Sequence, residues 1–207
     1  MIEDLIASRR TIRRFKPEAP PRATLERMLE MAVLAPSASN KQPWRFLVVQ
    51  ERAAIGRMAA AVGRAVERIV PHVREEFVDA FRSYGDYFVR FRDAPVVIVP
   101  IFKELVVLSN LVDDEVDAAD LRQIADMEYT SGLLSIGLAL QNMMLYAHSI
   151  GVGTSCMTGP LLAADELRRE LDVPEAWRIA ALMPVGFPDE SPAPTGRKPI
   201  DAVVRWK

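Results

Sequence analysis

The run Arg9-Arg10-Thr11-Ile12-Arg13-Arg14-Phe15 sets guanidinium groups on both sides of a single hydroxyl. Arginine offers a planar fork of donors matched to phosphate oxygens, and a neighbouring hydroxyl adds one more donor. A second run, Ala35-Pro36-Ser37-Ala38-Ser39-Asn40-Lys41-Gln42-Pro43-Trp44, places small residues and two primary amides just ahead of an apolar stretch. An amide both donates and accepts, so Asn40 and Gln42 can pair with a heterocycle whose edge alternates N–H and C=O. Near the C-terminus, Thr195-Gly196-Arg197-Lys198-Pro199 brings further positive charge. Singly, each has an ordinary explanation: basic clusters are commonly solvated turns, and Pro, Ser and Asn punctuate loops. In combination they describe a site for a bound nucleotide.

No other chemistry competes with that reading. The two histidines, His72 and His148, have nothing placing them beside Cys156, so no nucleophile and base pair up. With one cysteine and so few histidines, no metal site is expected. His148 reads as a satisfied core or interface residue, His72 as an exposed residue at a helix start, and Cys156 as a small structural hydrophobe. Tyr84, Tyr87, Phe88 and Phe91 share one helical stripe, a pattern that belongs to a core more often than to a platform for aromatic ligands.

The elements that must position these residues alternate along the chain. Ile2, Leu5 and Ile6 have helical spacing. A second helix is expected from Thr24 as N-cap, with Leu25, Met28, Leu29 and Ala32 on one face, ending before Pro36. Phe46 to Val49 reads as a strand. Helices are expected over Ala53 to Val70 and Val73 to Phe91, separated by Pro71. Ala94 to Val99, apolar on both faces, reads as a central strand. The acidic segment with Asp113, Asp114, Glu115, Asp117 and Asp120 comes next, then a helix nearly apolar on all sides from Leu133 to Ala147. Val152 to Met157 reads as a strand, Ala163 to Leu171 as a helix, Ile179 to Val185 as a strand, and the tail after Pro188 as irregular. Long helices between buried strands predict one layered α/β or α+β domain over residues 1–207.

Bulk properties narrow the partners. A chain of 207 residues supports one sizeable core, and its apolar share of 50% with a mean hydropathy of +0.06 fits a globular protein. A net charge of -2 argues against a general nucleic-acid partner. The acidic start without an apolar run and the lone cysteine lead to the expectation of a cytoplasmic protein. The apolar helix is too short and too interrupted, by Gln141 and Asn142, to predict a membrane span. Burial in a core or between subunits accounts for it better.

Further pieces stand in order with the arginine, amide and tail runs: Asp93-Ala94-Pro95-Val96-Val97, Leu140-Gln141-Asn142-Met143-Met144-Leu145-Tyr146-Ala147, Gly151-Val152-Gly153-Thr154 and Met157-Thr158-Gly159. Taken together, the chain resembles the nitroreductase family of FMN-dependent, NAD(P)H-linked oxidoreductases over nearly its whole length. That resemblance implies an α+β, three-layer domain with a central mixed sheet flanked by helices, in an intertwined homodimer with two FMN sites built from both subunits. It implies that Arg9, Arg10, Thr11 and Arg13 hold the FMN phosphate and the ribityl or ring edge together with Arg197, and that Ser37, Ala38 and Asn40 reach the flavin from the partner. Thr158 and Gly159 are expected beside the ring, with Gln42 and Lys198 as further contacts. Thr11 stands where serine is commoner, which keeps the hydroxyl. Thr158 stands where some members have glutamate, which puts the weight on its backbone.

The function so implied is hydride transfer from NADH or NADPH to a small organic acceptor such as a nitroaromatic or quinone. Ene reduction or dehalogenation within the same family, or a non-catalytic FMN carrier or sensor, are the alternatives. The acidic stretch from Leu111 to Asp120 is either a lid or a solvated loop; as a lid it would disfavour anionic acceptors.

Overall fold

The computed structural model describes all 207 residues. Five strands form one sheet: Trp44–Val49 (β1), Val96–Lys103 (β2), Gly153–Thr154 (β3), Trp177–Ile179 (β4) and Met183–Gly186 (β5). Their order is β1-β2-β5-β3, with β4 also paired to β2. The register runs from Trp44↔Phe102 to Val49↔Val97 between β1 and β2.

Every pairing is antiparallel, which corrects the mixed sheet expected. The cause lies in the connections. Between β1 and β2 the chain forms two helices, Arg52–Ile69 and Val78–Phe88, that pack as a hairpin, with Arg82 on Glu67 and Gly85 against Val66. Two antiparallel helices return the chain to the end of the sheet it left, so β2 runs against β1. A single long helix joins β2 to β3 and does give them one direction, but β5 is inserted between them with the opposite sense.

Six helices flank the sheet: Ile2–Ser8 (α1), Arg22–Val33 (α2), Arg52–Ile69 (α3), Val78–Phe88 (α4), Ala118–Ser149 (α5) and Ala164–Glu170 (α6). Residues Val96 to Phe102 are buried without exception. Because strand side chains alternate, Val96, Ile98 and Phe102 meet Leu25 and Met28 of α2 and Ile136 and Met143 of α5. Val97, Val99 and Ile101 meet Ile55, Met58 and Val62 of α3 and Leu167 of α6. This is the three-layer α+β arrangement expected. No helix is long and apolar enough to cross a membrane.

Several boundaries differ from expectation. Helix α2 starts before Thr24, from an extended Pro21 whose fixed φ leads directly into the first turn. Helix α5 absorbs part of the acidic stretch: the Asp117 carboxylate caps it, accepting the N–H of Ala119 at 2.6 Å, and Asp120 lies in its first turn. Both places favour negative charge at a helix start. The strand expected over Ile179 to Val185 is broken in two. Ile101↔Ile179 and Ile98↔Met183 set three steps of β2 against four of its neighbour, a β-bulge beside Pro100, which has no N–H to donate. The strand expected over Val152 to Met157 is reduced to β3 and an isolated bridge, Met157↔Leu182. The tail is irregular apart from one turn at Ile200–Ala202.

Candidate active site

The arginine run crosses the end of the sheet between β3 and the exit of β5. Ile12 N–H donates to the Thr154 carbonyl at 3.0 Å, and Phe15 bridges Pro188. Ile12 is buried against Gly153, where an added Cβ would stand 2.8 Å from the Ile12 side chain. A larger residue at position 153 would push the run off the sheet. Of the arginines, Arg9, Arg10 and Arg13 are half-buried and form no ion pair with a carboxylate; Arg14 is exposed. Charge held this way, unneutralised beside the Thr11 hydroxyl, fits a phosphate.

The arginines divide their work. Arg10 turns back on α1, its Nη1 donating to the carbonyls of Ala7 at 2.7 Å and Arg9 at 2.8 Å, where a helix end leaves acceptors unpaired. It lines a cavity of about 280 Å³ with Ser8, Ile12, His148 and Glu190. There Ser8 Oγ and His148 Nε2 lie 2.9 Å apart, so His148 is half-buried and partnered, as expected. Arg13 stacks on Tyr87, 5.1 Å from the ring centroid, and Arg90 covers the same ring at 4.3 Å.

The aromatic stripe is therefore only partly core. Phe91 is fully buried, while Tyr84 and Tyr87 are exposed and Tyr87 belongs to the arginine cluster. Phe88 lies against Gly159, where any Cβ would come within 2.1 Å of its ring. The end of α4 thus joins the arginine run to the Thr158–Gly159 turn. That turn is held from behind by Met157 and Leu182, which exchange backbone hydrogen bonds at 2.9 and 2.8 Å just past the bulge. Neither Thr158 nor Gly159 spends its N–H on an acceptor within the chain. Tyr87 and Phe88 belong to the stripe that the sequence assigns to a core more readily than to a ligand platform, and Arg90, which covers Tyr87, had no sequence signal of its own.

The amide loop stands elsewhere. Ser37 Oγ accepts the N–H of Gln42 at 3.0 Å, and Gln42 Nε2 donates to Asn40 Oδ1 at 3.3 Å. Ala38 N–H donates to Ser135 Oγ on α5 at 3.2 Å. Ser39, Asn40 and Gln42 all have positive φ (48°, 52° and 46°), a strained state that non-glycine residues hold only where surroundings enforce it. Arg197 is exposed and folds onto its own segment, donating to Thr195 Oγ1 at 2.6 Å, and Lys198 is exposed without a hydrogen bond. Within one chain, no hydrogen bond or ion pair joins the arginine run, the amide loop and the Arg197 segment.

Two carboxylates that the sequence did not single out organise the surroundings. Glu128, 5% exposed on α5, accepts the N–H groups of Val107, Leu108 and Ser109 and the Ser109 hydroxyl (2.6, 2.7, 3.4 and 2.7 Å). Burial acts to raise its pKa, but these four donors outweigh burial and hold the carboxyl below its ordinary value. Glu190 does the same for the arginine run. Cys156 shows surface to solvent, contrary to the buried thiol expected, yet packing around its sulfur raises its pKa and keeps it a poor nucleophile. No group of acids, histidines or cysteine is arranged to hold a metal.

Comparison with known proteins bears on the fold and the family. Residues 6–187 match the model of the nitroreductase family. The chain is 28% identical over 200 residues to the putative NAD(P)H nitroreductase YfhC of Bacillus subtilis, covering 97% of this chain and 91% of that one. A BluB-like flavoprotein from Clostridium difficile 630 superposes with a TM-score of 0.86 at 22% identity, over 100% of this chain and 99% of the other, and shares the fold. Oxidised iodotyrosine deiodinase bound to FMN and 3-iodo-L-tyrosine superposes with a TM-score of 0.74 at 25% identity, over 100% and 99% of the two chains. With the fold, the order of its motifs and a family match across most of its length in agreement, the chain belongs to the nitroreductase family.

Proposed function

We propose that this protein is an FMN-dependent oxidoreductase that takes a hydride from NADH or NADPH and reduces a small organic acceptor such as a nitroaromatic or quinone. The observation that carries the reading is a set of unspent donors: guanidinium groups of Arg9 and Arg13 without carboxylate partners, and free N–H groups at Thr158 and Gly159, joined by the end of α4. In this reading Arg9, Arg13 and the Thr11 hydroxyl hold the phosphate, and Arg10 supports the run from behind. The free N–H groups of Thr158 and Gly159 face the ring, where donors favour negative charge that develops during reduction. FMN, when bound, supplies the hydride chemistry, and the protein orients and tunes it.

The reading includes a homodimer. Leu133, Leu134, Gly137 and Leu138 form an exposed apolar stripe on α5, on the face opposite Ile136, Ala139, Leu140 and Met143. Leu134 is 63% exposed, and nothing lies near Gly137 to prevent close approach of a second helix. Pairing two copies over this stripe buries it. It also lets the amide loop of one copy, anchored beside it on Ser135, and Arg197 from the tail complete the ring and phosphate contacts of the other.

The test is an absorbance spectrum of the purified protein reconstituted with FMN, followed by anaerobic addition of NADH and, separately, NADPH. Bleaching with either nucleotide and re-oxidation by a nitroaromatic or quinone is the expected result. Flavin retained without bleaching would assign a carrier or sensor instead, and failure to take up FMN would overturn the reading. A second reading, reductive dehalogenation, draws on the likeness to the deiodinase bound to FMN and 3-iodo-L-tyrosine. Halide release from a halogenated phenol, with no turnover of nitroaromatics, would favour it.

A further inference from the structure

Glu190 lies in the Pro-rich tail beyond β5, and its carboxylate is directed at the backbone of the arginine run. Its Oε1 accepts the N–H of Arg13 at 2.5 Å and that of Arg14 at 3.1 Å, and Oε2 stands 3.5 Å from Arg14 Nε. The Glu190 side chain is 19% exposed and that of Arg14 is 72% exposed, so the ion pair is screened and the backbone contacts dominate. Backbone bonds flank it on either side, Lys16 N–H to the Phe187 carbonyl at 2.9 Å and Asp189 N–H to the Arg14 carbonyl at 3.0 Å. Burial acts to raise the Glu190 pKa, but the two N–H groups and the charges of Arg14 and Arg13 outweigh it, keeping the group ionised at neutral pH.

This placement is selective. A carboxylate set among arginines could neutralise them, yet it takes main-chain donors and leaves the guanidinium groups of Arg9, Arg10 and Arg13 without an acidic partner. Four like charges in six residues repel one another, and a loose turn carrying them would have to be ordered at the moment an anion binds.

We infer that Glu190 is a positioning residue for the phosphate turn: it fixes the backbone of Arg13 and Arg14 so that Arg13, stacked on Tyr87, meets the FMN phosphate without rearrangement. This rests on the reading that Arg9 to Arg13 hold that phosphate.

The experiment compares dissociation constants for FMN and for riboflavin, which has the same ring and no phosphate, in wild type, Glu190→Ala, Glu190→Gln and Arg9→Ala. Glu190→Ala is expected to weaken FMN binding about tenfold and leave riboflavin unchanged, the loss of one charge-assisted contact. Glu190→Gln keeps an acceptor for the Arg13 N–H and recovers most of the FMN affinity. Should the alanine variant fail to fold, Glu190→Asp, one methylene shorter, carries the same comparison with the alanine result expected. Equal weakening of FMN and riboflavin, or no weakening of either, overturns the role of Glu190. If wild type does not prefer FMN over riboflavin, or Arg9→Ala leaves that preference intact, the phosphate reading itself fails.

Discussion

Four arginines between positions 9 and 14 would be an unremarkable basic turn if each had found a carboxylate, and only Arg14 does so. Arg10 is spent on carbonyls at the end of α1, Arg13 stacks on an aromatic face with its guanidinium N–H donors unused, and Arg9 is free, so the residues differ in role despite identical chemistry. Arg197 makes contacts only within its own segment, two of them to backbone carbonyls, and those contacts cost little to give up. Replacing it with alanine is expected to weaken FMN binding about tenfold or more, with the fold unchanged, as read by flavin retention on gel filtration. Retention equal to wild type would remove Arg197 from the site.

At the scale of elements, the loop from 104 to 117 is tied down mainly through one residue of α5. Glu128 collects three backbone N–H groups and a hydroxyl there, while Val106, Leu108 and Leu111 stay exposed. Replacing Glu128 with alanine removes the acceptors and should cost about 2 kcal/mol of stability, measured by denaturant unfolding. The pH dependence has a definite sign. The folded pKa of Glu128 lies below the unfolded value, so its contribution is fully present above about pH 4.3 and is lost as pH falls through the lower, folded value. Protease cleavage within 104–117 should therefore rise in acid. Glu166 and Glu190 also have lowered pKa values, so global unfolding mixes all three, whereas cleavage of this loop isolates Glu128. A cleavage rate that is flat down to strongly acidic pH would sink the latch. The acidic stretch from Leu111 to Asp120 follows the apolar loop that Glu128 holds at Val107 to Ser109, and its end forms the capped start of α5.

For the molecule as a whole, α5 spans about 48 Å at 1.5 Å per residue and serves two surfaces at once. One face fills the core; the other presents Leu133, Leu134 and Leu138 to solvent in a single copy. Leu134→Asp should convert a dimer into a folded monomer, seen as halved mass by light scattering with unchanged circular dichroism, and FMN should be lost with it. A wild-type monomer that binds FMN would end the shared-site reading.

The sequence by itself determined the central strand, the nearly apolar second half of α5 and the arginine and amide runs, because each is written in local periodicity or side-chain type. Periodicity says which residues face a core. It carries no information on which core, or on the sense in which a neighbouring strand runs. The antiparallel sheet followed from a helical hairpin between β1 and β2, and the bulge beside Pro100 from how two distant segments meet. The amide loop was visible as residue types; its left-handed backbone at Ser39, Asn40 and Gln42 and its seat on Ser135 were not. Glu190 and Glu128 could not be singled out, since a carboxylate facing backbone N–H groups from 176 or 20 positions away leaves no local trace. Such contacts exist only once the chain has closed, and it is they that decide which of the charged residues are free to meet a ligand.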